Sequence, residues 1–189
     1  MSSIFLENLY QHRELFSRLD SIDVPVARAA AIITESLRNG GKLLLCGNGG
    51  SAADCQHIAA EFTGRFIKDR APISAISLTT DTSALTCIGN DYSFNEIFSR
   101  QVFALGRPGD ILLGITTSGN SGNVLTAIEA AHKLGIKSIG LLGRDGGKAL
   151  NVCMHSIVVP SDVTARIQEA HILIGHTICG IVEKELGLT

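Results

Sequence analysis

His57 and Glu61 stand four residues apart, a spacing that puts both side chains on one face if the stretch is helical. An imidazole and a carboxylate so placed can chelate one cation or serve one proton. Near the C-terminus, Arg166, Gln168, Glu169, His171 and His176 interrupt an otherwise apolar run, and polar groups on a buried helix need partners. A lone histidine there is ordinarily a hydrogen-bonded core residue; a His/Glu pair elsewhere in the chain makes His176 a candidate for chemistry. Its proton affinity lies near neutral pH, so Glu61 and His176 form a candidate base and acid. The same donors suit zinc, for which His57, Glu61, Gln168 and His176 make one N/O ligand set. Spacing imposes a condition, because Gln168 and His176 are eight residues apart, roughly 12 Å along an ideal helix. Either the two side chains converge at full stretch or different subunits contribute them.

Two loops have the chemistry of anion sites. The first, Gly47-Asn48-Gly49-Gly50-Ser51, follows a short apolar run, and its glycines let the backbone approach a ligand closely. Gly47, Gly49 and Ala52 also fit a loose GxGxxA dinucleotide pattern, but Asp81, the nearest acid after a following strand, lies well beyond the ~20-residue offset of a ribose-binding acid. The second, Thr116-Thr117-Ser118-Gly119-Asn120-Ser121, packs four hydroxyls around one glycine. Hydroxyls and free amides at a helix start suit a phosphate monoester. Helix capping is the alternative use of Ser and Thr at such a position, for which one hydroxyl suffices.

Alternating apolar runs and amphipathic stretches must hold these groups in place. Strands are expected at Lys42–Cys46, Ile73–Leu78, Asp110–Ile115, Lys137–Leu142 and His155–Val159, with helices between them, as over Asn123–Leu134. That alternation predicts an α/β fold with a parallel sheet covered by helices. Two further amphipathic helices are expected at Ile4–Leu19 and Val24–Leu37, with Pro25 in a first turn. The segment Val163–Leu186 is apolar on nearly every side and needs burial on most faces. One chain of 189 residues leaves little interior for it and both N-terminal helices, which predicts helix-mediated oligomerisation, with residues 1–39 in the oligomer core of a single domain spanning 1–189.

Composition narrows the function classes. Apolar residues are 45%, charged residues 18%, and the net charge is −2, without the basic patch of a nucleic-acid or membrane-surface binder. No apolar run reaches membrane-spanning length, and residues 1–18 show neither signal nor transit features. Five cysteines, Cys46, Cys55, Cys87, Cys153 and Cys179, include no CxxC pair, and read as core thiols in a reducing, cytoplasmic setting.

Four segments, CGNGGSAADCQHIAAEFTGRF, TTDTSALTCIGNDYSFNEIFSRQV, GDILLGITTSGNSGNV and TARIQEAHILIGHTIC, run in this order from Cys46 to Cys179. In identity and spacing they resemble the phosphoheptose isomerases of the sugar-isomerase (SIS) domain family. The resemblance implies a flavodoxin-like three-layer α-β-α sandwich around a five-stranded parallel sheet, and a homotetramer with active sites near subunit interfaces. It implies aldose–ketose conversion of sedoheptulose 7-phosphate to manno-heptose 7-phosphate for bacterial surface heptose. By position it places substrate contacts on Asn48, Gly49, Gly50, Glu61, Asn90, Asp91, Thr116, Thr117, Ser118, Ser121 and Gln168. It places the acid–base pair on Glu61 and His176 and one Zn²⁺ per subunit on His57, Glu61, Gln168 and His176. Asp91, within Gly89-Asn90-Asp91, could also be a turn residue. Ala165 departs from members with Asp at that position. Non-enzymatic SIS adapters are the rival class, and the intact Glu61 and His176 argue for an enzyme.

Overall fold

The computed structural model describes residues 3–188. Two N-terminal helices, α1 (Ile4–Phe16) and α2 (Asp23–Arg38), precede β1 (Leu43–Gly47), α3 (Gly50–Thr63), β2 (Ala75–Ser77), α4 (Thr82–Asp91) and α5 (Ser99–Leu105). Then come β3 (Ile111–Thr116), α6 (Gly122–Lys133), β4 (Lys137–Gly143), α7 (Ala149–Val152), β5 (His155–Val159) and α8 (Thr164–Glu185). All five strands are parallel, in the order β2-β1-β3-β4-β5. The five expected strands form: His155–Val159 with the expected bounds, and the other four with ends moved by a residue or two, where hydrogen bonding rather than apolar character sets the limit.

Strand alternation divides the core between the two faces of the sheet. Leu43, Leu45, Ile111, Leu113, Ile139 and Leu141 pack against α2, α3 and α8. Leu44, Cys46 and Leu112 face α5 and α6 through Val102, Val124, Ala127 and Ile128. Every residue of β1 and β3 is buried, as central strands covered on both sides require.

The two N-terminal helices differ in how far one chain buries them. Helix α2 buries Val26, Ala29, Ala30, Ile32 and Ile33 within the chain, and α8 is buried on one broad side from Arg166 to Glu183. Helix α1 buries only Leu15, leaving Ile4, Phe5 and Tyr10 exposed. It ends at Phe16, and a short 3-10 turn over Leu19–Ile22 leads into α2. Among the described residues no helix is long and apolar enough to cross a membrane.

Cys46, Cys55 and Cys179 are buried free thiols, and Cys153 is half-buried. Burial pushes the Cys46 and Cys179 thiols up to about 12. Cys87 corrects the reading of all five as core thiols. It lies on the exposed face of α4, where its Sγ donates to Asp91 Oδ2 at 3.4 Å.

Candidate active site

Strand order reverses direction between β1 and β3: one neighbour of β1 is β2 and the other is β3. In open parallel sheets the crevice beyond the strand carboxyl ends at such a point is the ligand site. Both anion-type loops fall there. Asn48, Gly49, Gly50, Ser51, Thr116, Thr117, Ser121, Thr164 and Gln168 line one cavity of about 300 Å³. The loops are tied by reciprocal side-chain bonds between Asn48 and Asn123, each 2.8 Å. Ser51 of the first expected loop lines the cavity, and Asn123 and Thr164 are bracing and lining residues that sequence reasoning missed.

The hydroxyls of the second loop form their own network. Thr116 Oγ1 lies 2.9 Å from Ser121 Oγ and 3.4 Å from Ser118 Oγ. Ser121 occupies the N-cap position of α6 but makes no side-chain cap bond, so its hydroxyl is not spent on capping. Asn120 clamps the loop from outside: its Nδ2 donates to Ser118 O at 2.8 Å and its Oδ1 accepts from Lys148 N at 3.1 Å. By contrast Asp81 is a helix cap, accepting from Ala84 N at 2.9 Å, which removes it as a ribose ligand.

A second constellation lies farther along α3 and α8. The α8-facing stripe of α3 carries Gly50, His57, Ile58 and Glu61, and the two helices run side by side. At one end a Cβ on Gly50 would strike the Gln168 amide; farther on, a Cβ on Gly175 would meet Ile58 Cδ1 at 2.6 Å. Glycine at 175 therefore sets the close helix approach that brings His176 to His57. Their Nε2 atoms are 3.0 Å apart, and His57 Nε2 is 3.1 Å from Glu61 Oε1. The Phe66 ring stacks on His176 with centroids 5.3 Å apart.

Glu61 is held by an ion pair that sequence gave no hint of. Arg70 Nε donates to Glu183 Oε1 at 2.7 Å, with both side chains almost wholly buried. The same guanidinium donates to Glu61 O at 2.6 Å and Phe62 O at 2.7 Å, closing the C-terminal turn of α3 with a cation, where the helix dipole favours one. No local pattern links residues so distant in sequence, and only the packing of α3 on α8 reveals the pair.

His57, Glu61 and His176 offer ligand atoms that all lie within 4.8 Å of one another. For a tetrahedral ion with bonds of about 2.0–2.1 Å, ligand atoms stand roughly 3.3 Å apart, close to the 3.0 and 3.1 Å by which His57 Nε2 stands from His176 and Glu61. The donor set therefore fits zinc. Gln168 lies in the cavity wall, its side chain against Gly50. Asn90 and Asp91 also lie elsewhere, exposed at the end of α4, where Asn90 Nδ2 donates to Asp91 Oδ1 at 2.8 Å and holds that carboxyl below the usual range.

His171 is a core residue. Its ring is fully buried with Nε2 3.0 Å from Leu142 O, and burial pushes its pKa down to about 4. Glu169 pairs outward with His12 at 2.9 Å and Arg166 at 2.6 Å.

Known proteins share this fold. Residues 9–143 match the model of the SIS domain family. A phosphoheptose isomerase of Aliarcobacter butzleri is 53% identical over 187 residues, covering 98% of this chain and 99% of that protein. The chain belongs to the phosphoheptose isomerases of the SIS domain family. Two solved structures agree with that membership. The phosphoheptose isomerase of Neisseria gonorrhoeae superposes with a TM-score of 0.91 at 46% identity, over 95% of this chain and 97% of that one. A phosphoheptose isomerase of Francisella tularensis gives 0.90 at 41% identity, over 97% and 100%. The SIS domain thus supplies the five-stranded parallel sheet whose switch point carries the cavity.

Proposed function

We propose that this isomerase converts D-sedoheptulose 7-phosphate to D-glycero-D-manno-heptose 7-phosphate by proton transfer through an enediol, in the cytoplasm, for bacterial surface heptose. The observation that carries this reading is the pairing of a hydroxyl-lined cavity with a His57–Glu61–His176 cluster along the same two helices. The phosphate lies against Thr116, Thr117, Ser118, Ser121 and the amides of Gly49 and Gly50, where helix N-termini favour an anion. Asn48 and Gln168 meet sugar hydroxyls, and Asn90 and Asp91, which lie outside this cavity within one chain, meet them from a neighbouring subunit.

Glu61 takes a proton from C1 of the open-chain ketose and returns it to C2. His176 relays the hydroxyl proton from O1 to O2, so that C1 becomes the aldehyde and C2 the carbinol. A positioned acid or base typically contributes about 10²–10⁴-fold. His57, Glu61 and His176, with Gln168 as a fourth donor, are the residues to hold Zn²⁺, which supplies charge for polarising the carbonyl when bound. Loose ligation of Glu61 keeps it basic.

Within one chain Gln168 faces the cavity while His176 belongs to the cluster. That separation favours contribution from different subunits, and the exposed Ile4, Phe5 and Tyr10 of α1 provide an apolar surface for such contacts. A homotetramer, each chain a single domain over 1–189, satisfies both. The test is turnover of sedoheptulose 7-phosphate by the purified chain, read by NMR. Formation of the manno-heptose phosphate that falls on chelation and recovers with Zn²⁺ is expected; no turnover with Zn²⁺ supplied refutes the proposal.

A further inference from the structure

Asp54 is a titratable side chain to which the reading above gives no task. It sits on α3 three residues before His57, and the helical period places it on the stripe that faces α8, between Gly50 and Ile58. Contacts at both ends fix that stripe, since Gly50 abuts Gln168 and Ile58 abuts Gly175. Its Oδ2 is buried with no hydrogen-bond partner. Such an acceptor costs on the order of 1–3 kcal/mol, and more when charged, so its presence calls for a reason outside the packing of the fold.

His57 supplies that reason. Its Nε2 is committed to the cluster, 3.1 Å from Glu61 Oε1 and 3.0 Å from His176 Nε2, which leaves Nδ1 as the other ring nitrogen. Helical side chains lean towards the N-terminus, carrying the His57 ring over the turn that bears Asp54. Burial raises the Asp54 carboxyl. Charge balance points the same way: two neutral imidazoles and one carboxylate leave a divalent cation with an uncompensated positive charge.

We propose that Asp54 is a positioning residue of the cluster, the outer carboxylate that accepts the His57 Nδ1 proton when a divalent cation takes up Nε2. Metal-ligating histidines generally donate their other N–H to such an acceptor, whose loss typically costs about 10–100-fold in metal affinity. The inference rests on the cluster's holding a metal, as proposed above.

The full chain and its Asp54→Asn and Asp54→Leu variants are compared by zinc competition against a chromogenic chelator and by thermal unfolding of the metal-free proteins. Both variants are expected to bind zinc about 10–100-fold more weakly, with metal-free Tm equal to or above the parent's, because an unpartnered buried carboxylate is gone. Asp54→Asn affinity within about a factor of two of the parent, where the parent binds zinc, overturns this inference alone and leaves the metal reading intact. A parent that binds no zinc overturns both. A lowered Tm or failure to fold in both variants also overturns the inference, since the carboxylate would then be structural.

Discussion

At the scale of single residues, environment separates two histidines that sequence presents alike. His171 and His176 lie five positions apart on one helix, yet His171 is sealed against Leu142 while His176 meets His57 and Phe66. The buried ring makes a testable contribution to stability. With a folded pKa of about 4 and an unfolded one near 6.5, the unfolded chain binds the extra proton between those values. Stability from this residue is therefore present above the unfolded pKa and is lost as pH falls towards 4. From pH 7 to pH 5 the loss is about 2 kcal/mol. The raised Asp54 carboxyl acts in the opposite sense, so the comparison must be with a variant. Urea unfolding of His171→Gln should show a shallower fall than the parent between these pH values; equal falls would contradict a neutral buried ring. Much of the candidate site was legible at this scale, since the His57/Glu61 spacing and the four-hydroxyl loop are local patterns. Arg70 and Glu183 were not, because neither carries a local signal and their pairing exists only across the packed helices.

At the scale of elements, α3 and α8 do the positioning. Their separation is set at Gly175, where an added methyl meets Ile58 at 2.6 Å. Gly175→Ala gains up to about 1 kcal/mol in helix propensity but overpacks the contact at a cost of roughly 1–3 kcal/mol. We expect a net loss of stability in urea titration, together with weaker zinc binding as His176 moves off His57. Unchanged zinc affinity would show that the glycine does not govern the cluster. The strands and long helices were readable because burial on both faces of a parallel sheet leaves continuous apolar runs such as Leu43-Leu44-Leu45. The α4–α5 region was less readable: the 3-10 turn at Phe94–Glu96 and the Tyr92–Arg100 ring contact have no periodic signature. The eight-residue offset of Gln168 from His176 was readable from helical rise alone, and in the structure Gln168 lines the cavity while His176 meets His57.

At the scale of the whole molecule, the question is what covers α1. It keeps large apolar side chains exposed along its first turns, unlike α2 and α8, whose burial is complete enough within the chain. The proposed tetramer would give that surface a partner and bring a second chain's residues towards each site. Mass photometry at micromolar concentration should report four times the 20.0 kDa chain mass. A 20.0 kDa species alone would remove the assembly and with it the idea of shared sites. Alternation of sheet and helix in the sequence announced the architecture, but α1's exposure could not be read there, because its amphipathic pattern is the same whether its partner is internal or another chain.

The account stands on Glu61 as the base that carries hydrogen from C1 to C2. Running the reaction in D₂O tests it most directly, because a proton held on a carboxylate exchanges with solvent before it is returned. The aldose product of the parent should carry deuterium at C2, and Glu61→Gln should lose at least about 10²-fold in both turnover and deuterium incorporation. A product free of solvent deuterium, or a Glu61→Gln variant that labels C2 as fast as the parent, would contradict it.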